Sequence, residues 1–237
     1  MYEAQNPGAE NRSGQPHVLA LKTMTNRNTL RARVIAACRR LFPPRPRGEP
    51  LRIVAFGDSL TAGFGLKTKE AFPPVLGRRL RADGYNVAVV NAGVSGDTTQ
   101  MGIARLESVL ASGPELVILE LGANDMLNDI DLNFTLANLE KMILRIQASG
   151  ARVLLAGMRA TEDKDADIRQ RFDAIYPALA IKHALPYYPF FLEGVAGDPA
   201  LVLWGGLHPT AKGVRVIVDK IAPMVERILD QLGAPTI

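Results

Sequence analysis

Cysteine is almost missing from this chain: Cys38 stands alone, so no internal disulfide can form. Histidine is nearly as scarce. His17, His183 and His208 are widely separated, and with no thiols beside them they form no zinc-ligand spacing. No apolar run approaches the roughly 20 residues of a membrane span, so no integral membrane segment is expected. A signal peptide is not evident either. The stretch VIAAC offers five apolar residues, followed at once by arginines, where an h-region needs roughly 7–15. A cytoplasmic location is therefore expected, with a periplasmic one as the alternative. Phosphate-cradling loops are lacking too. Gly63-Phe64-Gly65 is followed by Leu66, Lys67 and Thr68, which fits neither G-x-G-x-x-G nor a Gly-Lys-Ser/Thr ending.

What is present begins with ordinary globular composition, 47% apolar and 22% charged residues. The net charge of +4 is unevenly spread. Residues 1–50 carry nine Lys/Arg against three acids, whereas residues 51–237 carry nineteen against twenty-one. The body therefore has no nucleic-acid footprint, and no nucleic-acid partner is expected. Residues 1–50 read as a basic, disordered or weakly helical extension. LRARVIAACRRL suits a short amphipathic helix within it, and LFPPRPRGEP forms a proline-rich linker.

From Leu51 onward, short apolar runs alternate with helical periods. LRIVAFG, NVAVVNAG, ELVILELG and ARVLLAG are nearly continuous in Val, Ile, Leu and Ala, as parallel strands buried on both faces require. A fifth strand is expected near ALPYYPF, and helices at about 70–83, 99–111, 132–149 and 165–183. In the last helix Val214, Ile217, Val218, Ile221, Val225 and Ile228 recur at spacings of three and four, with Pro223 inside it. The expected fold is α/β: three α/β/α layers around a mainly parallel, doubly wound sheet.

Such sheets place their sites beyond the carboxyl ends of the strands. There the chain carries Gly57-Asp58-Ser59, then NAGVSGDTT with Ser95, Gly96 and Asp97, then Asn124-Asp125, and finally WGGLHP with His208. Each alone has a plain structural explanation: an Asx turn at Asp58, Asp97 capping a helix, Asn124-Asp125 capping the next, and a loop histidine before a proline. Together they supply what acyl transfer needs. Ser59 offers a hydroxyl and His208 a base, while the Gly96 N–H and the Asn124 amide offer neutral donors to a developing oxyanion.

GDSL, SGDT, GAND and GLHP, in that order, resemble the motif blocks of the SGNH (GDSL) hydrolases, from about residue 51 to the end of the last helix. FDAIYPALA and PFFLEGV look like the bacterial arylesterase, thioesterase and lysophospholipase branch. The resemblance implies a flavodoxin-like five-stranded sheet, with residues 51–237 as the hydrolase domain. It implies Ser59 as nucleophile, His208 as base, and Ser59, Gly96 and Asn124 as oxyanion hole, with no metal or organic cofactor. The implied substrate is a small-molecule aryl or short-to-medium acyl ester, with thioesters and lysophospholipids as further candidates.

One position departs from the pattern. Family members usually carry an aspartate three residues before the histidine, and here that residue is Gly205. The carbonyl of Leu203 or Trp204, a water, or Asp198 could orient His208 instead. The departure leaves two alternatives to the esterase: a carbohydrate O-deacetylase, and a catalytically weakened acyl- or ligand-binding protein. The charged segment MRATEDKDADIRQRF is expected to be a solvated helix face.

Overall fold

The computed structural model describes residues 48–236. The basic extension, with Cys38 and the short amphipathic helix expected there, falls almost wholly outside them. Strands β1 (Leu51–Gly57), β2 (Val87–Gly93), β3 (Leu116–Glu120), β4 (Arg152–Ala156) and β5 (Tyr187–Tyr188) form one sheet in the order β2-β1-β3-β4-β5. Every neighbouring pair is parallel. This is the flavodoxin-like order expected from the sequence.

The helices are α1 (Ser59–Ala62), α2 (Phe72–Ala82), α3 (Thr99–Leu110), α4 (Ala123–Leu127), α5 (Leu132–Ala148), α6 (Ala166–Lys182) and α7 (Ala211–Gln231). They form two groups on opposite sides of the sheet: α2 packs on α7, while α3, α5 and α6 pack in series. None among the described residues is long and apolar enough to cross a membrane.

Burial follows strand order. All of β3 is buried, as is all of β4 after Arg152. By contrast β2 leaves Val90 and Asn91 exposed. It is the sheet edge, so its apolar run is covered less completely than the expectation of two buried faces implied. In α7 all six periodic residues from Val214 to Ile228 are buried, and the helix continues past Pro223. Each such side chain contributes about 1.5–3 kcal/mol of burial. This long packed face fixes where α7 begins, and His208 lies just ahead of that point.

We treat residues 51–237 as a separable domain, which gives a direct expectation. A chain starting at Gly48 keeps β1 whole, together with the bond from Asn86 Nδ2 to the Gly48 carbonyl (3.1 Å). It should stay soluble, melt with the full-length protein and hydrolyse esters equally fast. Insolubility, or a melting temperature well below that of the full chain, would give the extension a structural role.

Candidate active site

The register brings Gly57, Gly93 and Glu120 side by side at the carboxyl edge of the sheet. Beyond Gly57 the chain turns at once into α1. Asp58 caps that helix, its carboxylate accepting from Leu60 N at 2.9 Å. Ser59 is thereby the first residue of α1, its hydroxyl held directly past the strand end. Asn124 stands in the first turn of α4, just beyond β3. Gly96 lies in the loop between β2 and α3, exposed and at φ +86°.

His208 is delivered by a different device. Leu203 N donates to the His208 carbonyl (2.7 Å) and Thr210 N to the Leu201 carbonyl (2.8 Å), forming a short antiparallel bridge. Thr210 then caps α7 by accepting from Gly213 N at 3.1 Å. The result joins residues far apart in sequence: His208 Nε2 lies 2.9 Å from Ser59 Oγ. Phe64 packs on the imidazole with ring centroids 4.7 Å apart. Burial holds the His208 pKa below its ordinary value. The ring is therefore largely neutral at pH 7 and available as a base.

The remaining residues are tied together through Asn124. Its Nδ2 donates to the Asp97 carbonyl (2.9 Å), next to Gly96, and to Asp58 Oδ2 (3.2 Å), next to Ser59. Arg105 on α3 braces the same edge. It reaches Asp97 Oδ2 and the carbonyls of Ala92 and Gly57 at 2.5, 2.7 and 2.9 Å, with its guanidinium 4.3 Å from the centre of the Phe56 ring. One cation thus holds the ends of β1 and β2 and the loop carrying Gly96.

Two plain explanations of these residues fail in the fold. Asp97 does not cap α3; Thr98 does, and Asp97 is turned to Arg105. Asn124 and Asp125 do not precede a helix but lie inside α4. Asp125 instead reaches across to accept from Thr99 N at 2.8 Å, satisfying an otherwise unpaired amide in the first turn of α3.

Acids crowd this edge. Asp58 is pushed up to about 6, first by burial and then by the charges of Asp97 and Asp125, although the Leu60 amide bond offsets part of this. Glu120, wholly buried beside it, is raised well above the carboxylate range by burial and by the charge of Asp58. The sequence reading passed over Glu120, Arg105 and Phe64. Only Glu120 left a signal, as an acid inside an otherwise apolar strand.

These residues fall within a recognisable frame. A profile of the GDSL-like Lipase/Acylhydrolase family matches residues 55–216. The chain belongs to this family. Esterase TesA of Pseudomonas aeruginosa is 33% identical over 201 residues, covering 84% of this chain and 100% of TesA. An arylesterase of Vibrio mimicus is 37% identical over 172 residues, 72% of this chain and 86% of its own length. The crystal structure of AlinE4, an SGNH-hydrolase family esterase, matches with a TM-score of 0.65 at 43% identity, covering 78% of this chain and 99% of AlinE4. The protein is accordingly a carboxylic ester hydrolase, and neither the deacetylase nor the ligand-binding alternative is favoured.

The protein groups that the sequence suggested for orienting His208 make no hydrogen bond to its ring among the described residues. Among the described residues, the bond to Ser59 is the only hydrogen bond of the imidazole. Asp198 is occupied in its own turn, accepting from Ala200 N at 2.9 Å. The Leu203 carbonyl accepts from Gly206 N at 3.0 Å. Among the described residues no side-chain acid fixes the tautomer that presents Nε2 as an acceptor.

Gly205→Asp tests what that omission costs. Gly205 sits at φ +99° with nothing within 4 Å of an added Cβ, so there is room for a side chain but the backbone is one that L residues resist. The wholly exposed Trp204 does not fill the space. The expected result is a strain penalty of about 1–3 kcal/mol, read as a lower melting temperature, with turnover at neutral pH raised about tenfold. A carboxylate beside the ring also raises its pKa, so the acid limb of kcat/KM should move to higher pH. Unchanged turnover and an unchanged acid limb would mean that the histidine needs no such partner.

Proposed function

We propose that this hydrolase cleaves aryl and short-to-medium acyl esters through an acyl-serine intermediate, with Ser59 as nucleophile and His208 as general base. The observation that carries the proposal is the 2.9 Å approach of His208 Nε2 to Ser59 Oγ, within the reach a base needs to take the hydroxyl proton. Ser59 Oγ attacks the carbonyl carbon as its proton passes to Nε2. The tetrahedral intermediate collapses, and the leaving alcohol or phenol takes that proton. Water then attacks the acyl-serine by the same sequence, releasing the acid and restoring Ser59.

The oxyanion donors are the amides of Ser59 and Gly96 and the side chain of Asn124. Among the described residues, neither of those two amides donates a hydrogen bond, so both are open to an incoming oxygen. The Asn124 amide is already shared between Asp97 and Asp58. An oxyanion takes over the longer bond, that to Asp58, at the smaller cost. Apolar groups beside the Ser59–His208 pair favour acyl or aryl substituents. Phe64 lies against the imidazole, Leu207 and Trp204 are exposed on the same loop, and Val94 is exposed next to the end of β1.

A panel of aryl acetates, longer acyl esters and acyl thioesters, read beside fluorophosphonate labelling mapped to its residue, tests the proposal. Rapid labelling at Ser59 with preference for aryl or short acyl esters is the expected result. Labelling at another residue would overturn the nucleophile assignment.

A further inference from the structure

Glu120 is the last residue of β3, and β3 is a strand in which every other residue is aliphatic and buried. Its carboxyl group is fully enclosed. Oε2 accepts from Thr61 Oγ1 at 2.7 Å and lies 3.4 Å from the amide of Asp58. Among the described residues Oε1 is buried without a partner. Leaving a buried polar atom unpaired is costly, so an aliphatic residue of similar volume would suit the core better. The acid is kept at a cost in stability.

The neighbouring chain is shaped to receive it. Gly57 stands opposite Glu120 in the register. A Cβ at Gly57 would come within 2.4 Å of Glu120 Oε2 and 2.2 Å of Thr61 Oγ1. Any residue but glycine would push the carboxyl group out. The residues that wrap it, Gly57, Asp58 and Thr61, flank Ser59 on both sides. Glu120 therefore touches the turn before the nucleophile and the first helical turn after it, without reaching the reacting atoms.

We propose that Glu120 is a positioning residue of this hydrolase: its carboxyl group straps Thr61 and the Asp58 amide, and so holds Ser59 Oγ on line with His208 Nε2. The strap works as a hydrogen-bond acceptor and requires no charge. Burial and the charge of the adjacent Asp58 raise the Glu120 pKa well above the carboxylate range, and Oε2 can accept in either form. The proposal rests on Ser59 being the nucleophile. It matters because displacing a reacting group by about 1 Å can cost about 10² in rate.

Three substitutions test it: Glu120→Met, Glu120→Gln and Thr61→Val. Each is measured for kcat and KM on p-nitrophenyl acetate, for the rate of fluorophosphonate labelling, and for melting temperature. Glu120→Met removes the acceptor at similar volume. Its kcat should fall about 10- to 100-fold, with KM within about twofold and labelling slowed in parallel. Glu120→Gln retains a carbonyl acceptor and should recover turnover to within about threefold of the parent. Thr61→Val removes the donor and leaves the acid in place, and should lower kcat about tenfold. If Glu120→Met does not fold, the Gln and Val variants decide alone. Parent-like turnover and labelling in Glu120→Met or Thr61→Val would overturn the proposal, as would a Gln variant no better than Met. A parent enzyme that is not labelled at Ser59 would instead overturn the nucleophile assignment, so the two failures are distinguishable.

Discussion

Ser59→Ala should abolish measurable ester hydrolysis, a loss of about 10⁴-fold or more, and should remove fluorophosphonate labelling altogether. The substitution deletes one oxygen whose side-chain hydrogen bond runs to His208 Nε2. The cap of α1 is made by the Asp58 side chain and the Leu60 amide, so it is untouched. Melting temperature should therefore stay close to that of the parent. Loss of activity without loss of stability is the pattern that separates a nucleophile from a folding residue. A Ser59→Ala protein that kept most of its esterase activity would show that another group attacks the ester.

Asn124→Ala should lower kcat by about 10²–10³, the usual cost of one oxyanion donor, while KM changes only a few-fold. The split matters because the substrate carbonyl oxygen carries a full negative charge only in the tetrahedral state. Stability should fall as well, by about 1–3 kcal/mol. The alanine leaves the Asp97 carbonyl and the Asp58 carboxylate each without the donor they share at 2.9 and 3.2 Å. Rates should therefore be compared well below the melting temperature of the variant. A loss confined to KM would make Asn124 a pocket residue that ties two loops together and takes no part in oxyanion stabilisation.

The parts of this site that could be read in advance are those whose signal lies within a few consecutive residues. Gly57-Asp58-Ser59 announces a strand ending in a tight turn because glycine and an Asx side chain act on their immediate neighbours. Gly96, Asn124 and His208 could be located because each directly follows a strand or precedes the last helix. Glu120 was passed over because its meaning depends on a cavity made by Gly57 on another strand. Arg105 looked like one surface charge on an amphipathic helix, yet it gathers three separate chain segments. Asp97 could plausibly have capped α3; the position of that arginine turned it aside.

Residue order alone settles the layered α/β fold and its helix and strand periods. Burial of one helical face, or of both faces of a strand, leaves a regular imprint along the chain. It also settles the family, through four short motifs in order. Contacts between distant residues wait on the folded chain. Ser59 and His208 are 149 positions apart, and their 2.9 Å approach depends on how α7 packs and on the bridge ahead of Thr210. The same holds for the bracing of the strand ends by Arg105 and for the exposed edge of β2. Each follows from where elements stand in space, and local sequence carries no record of that because the forces that set it act between segments, not along them.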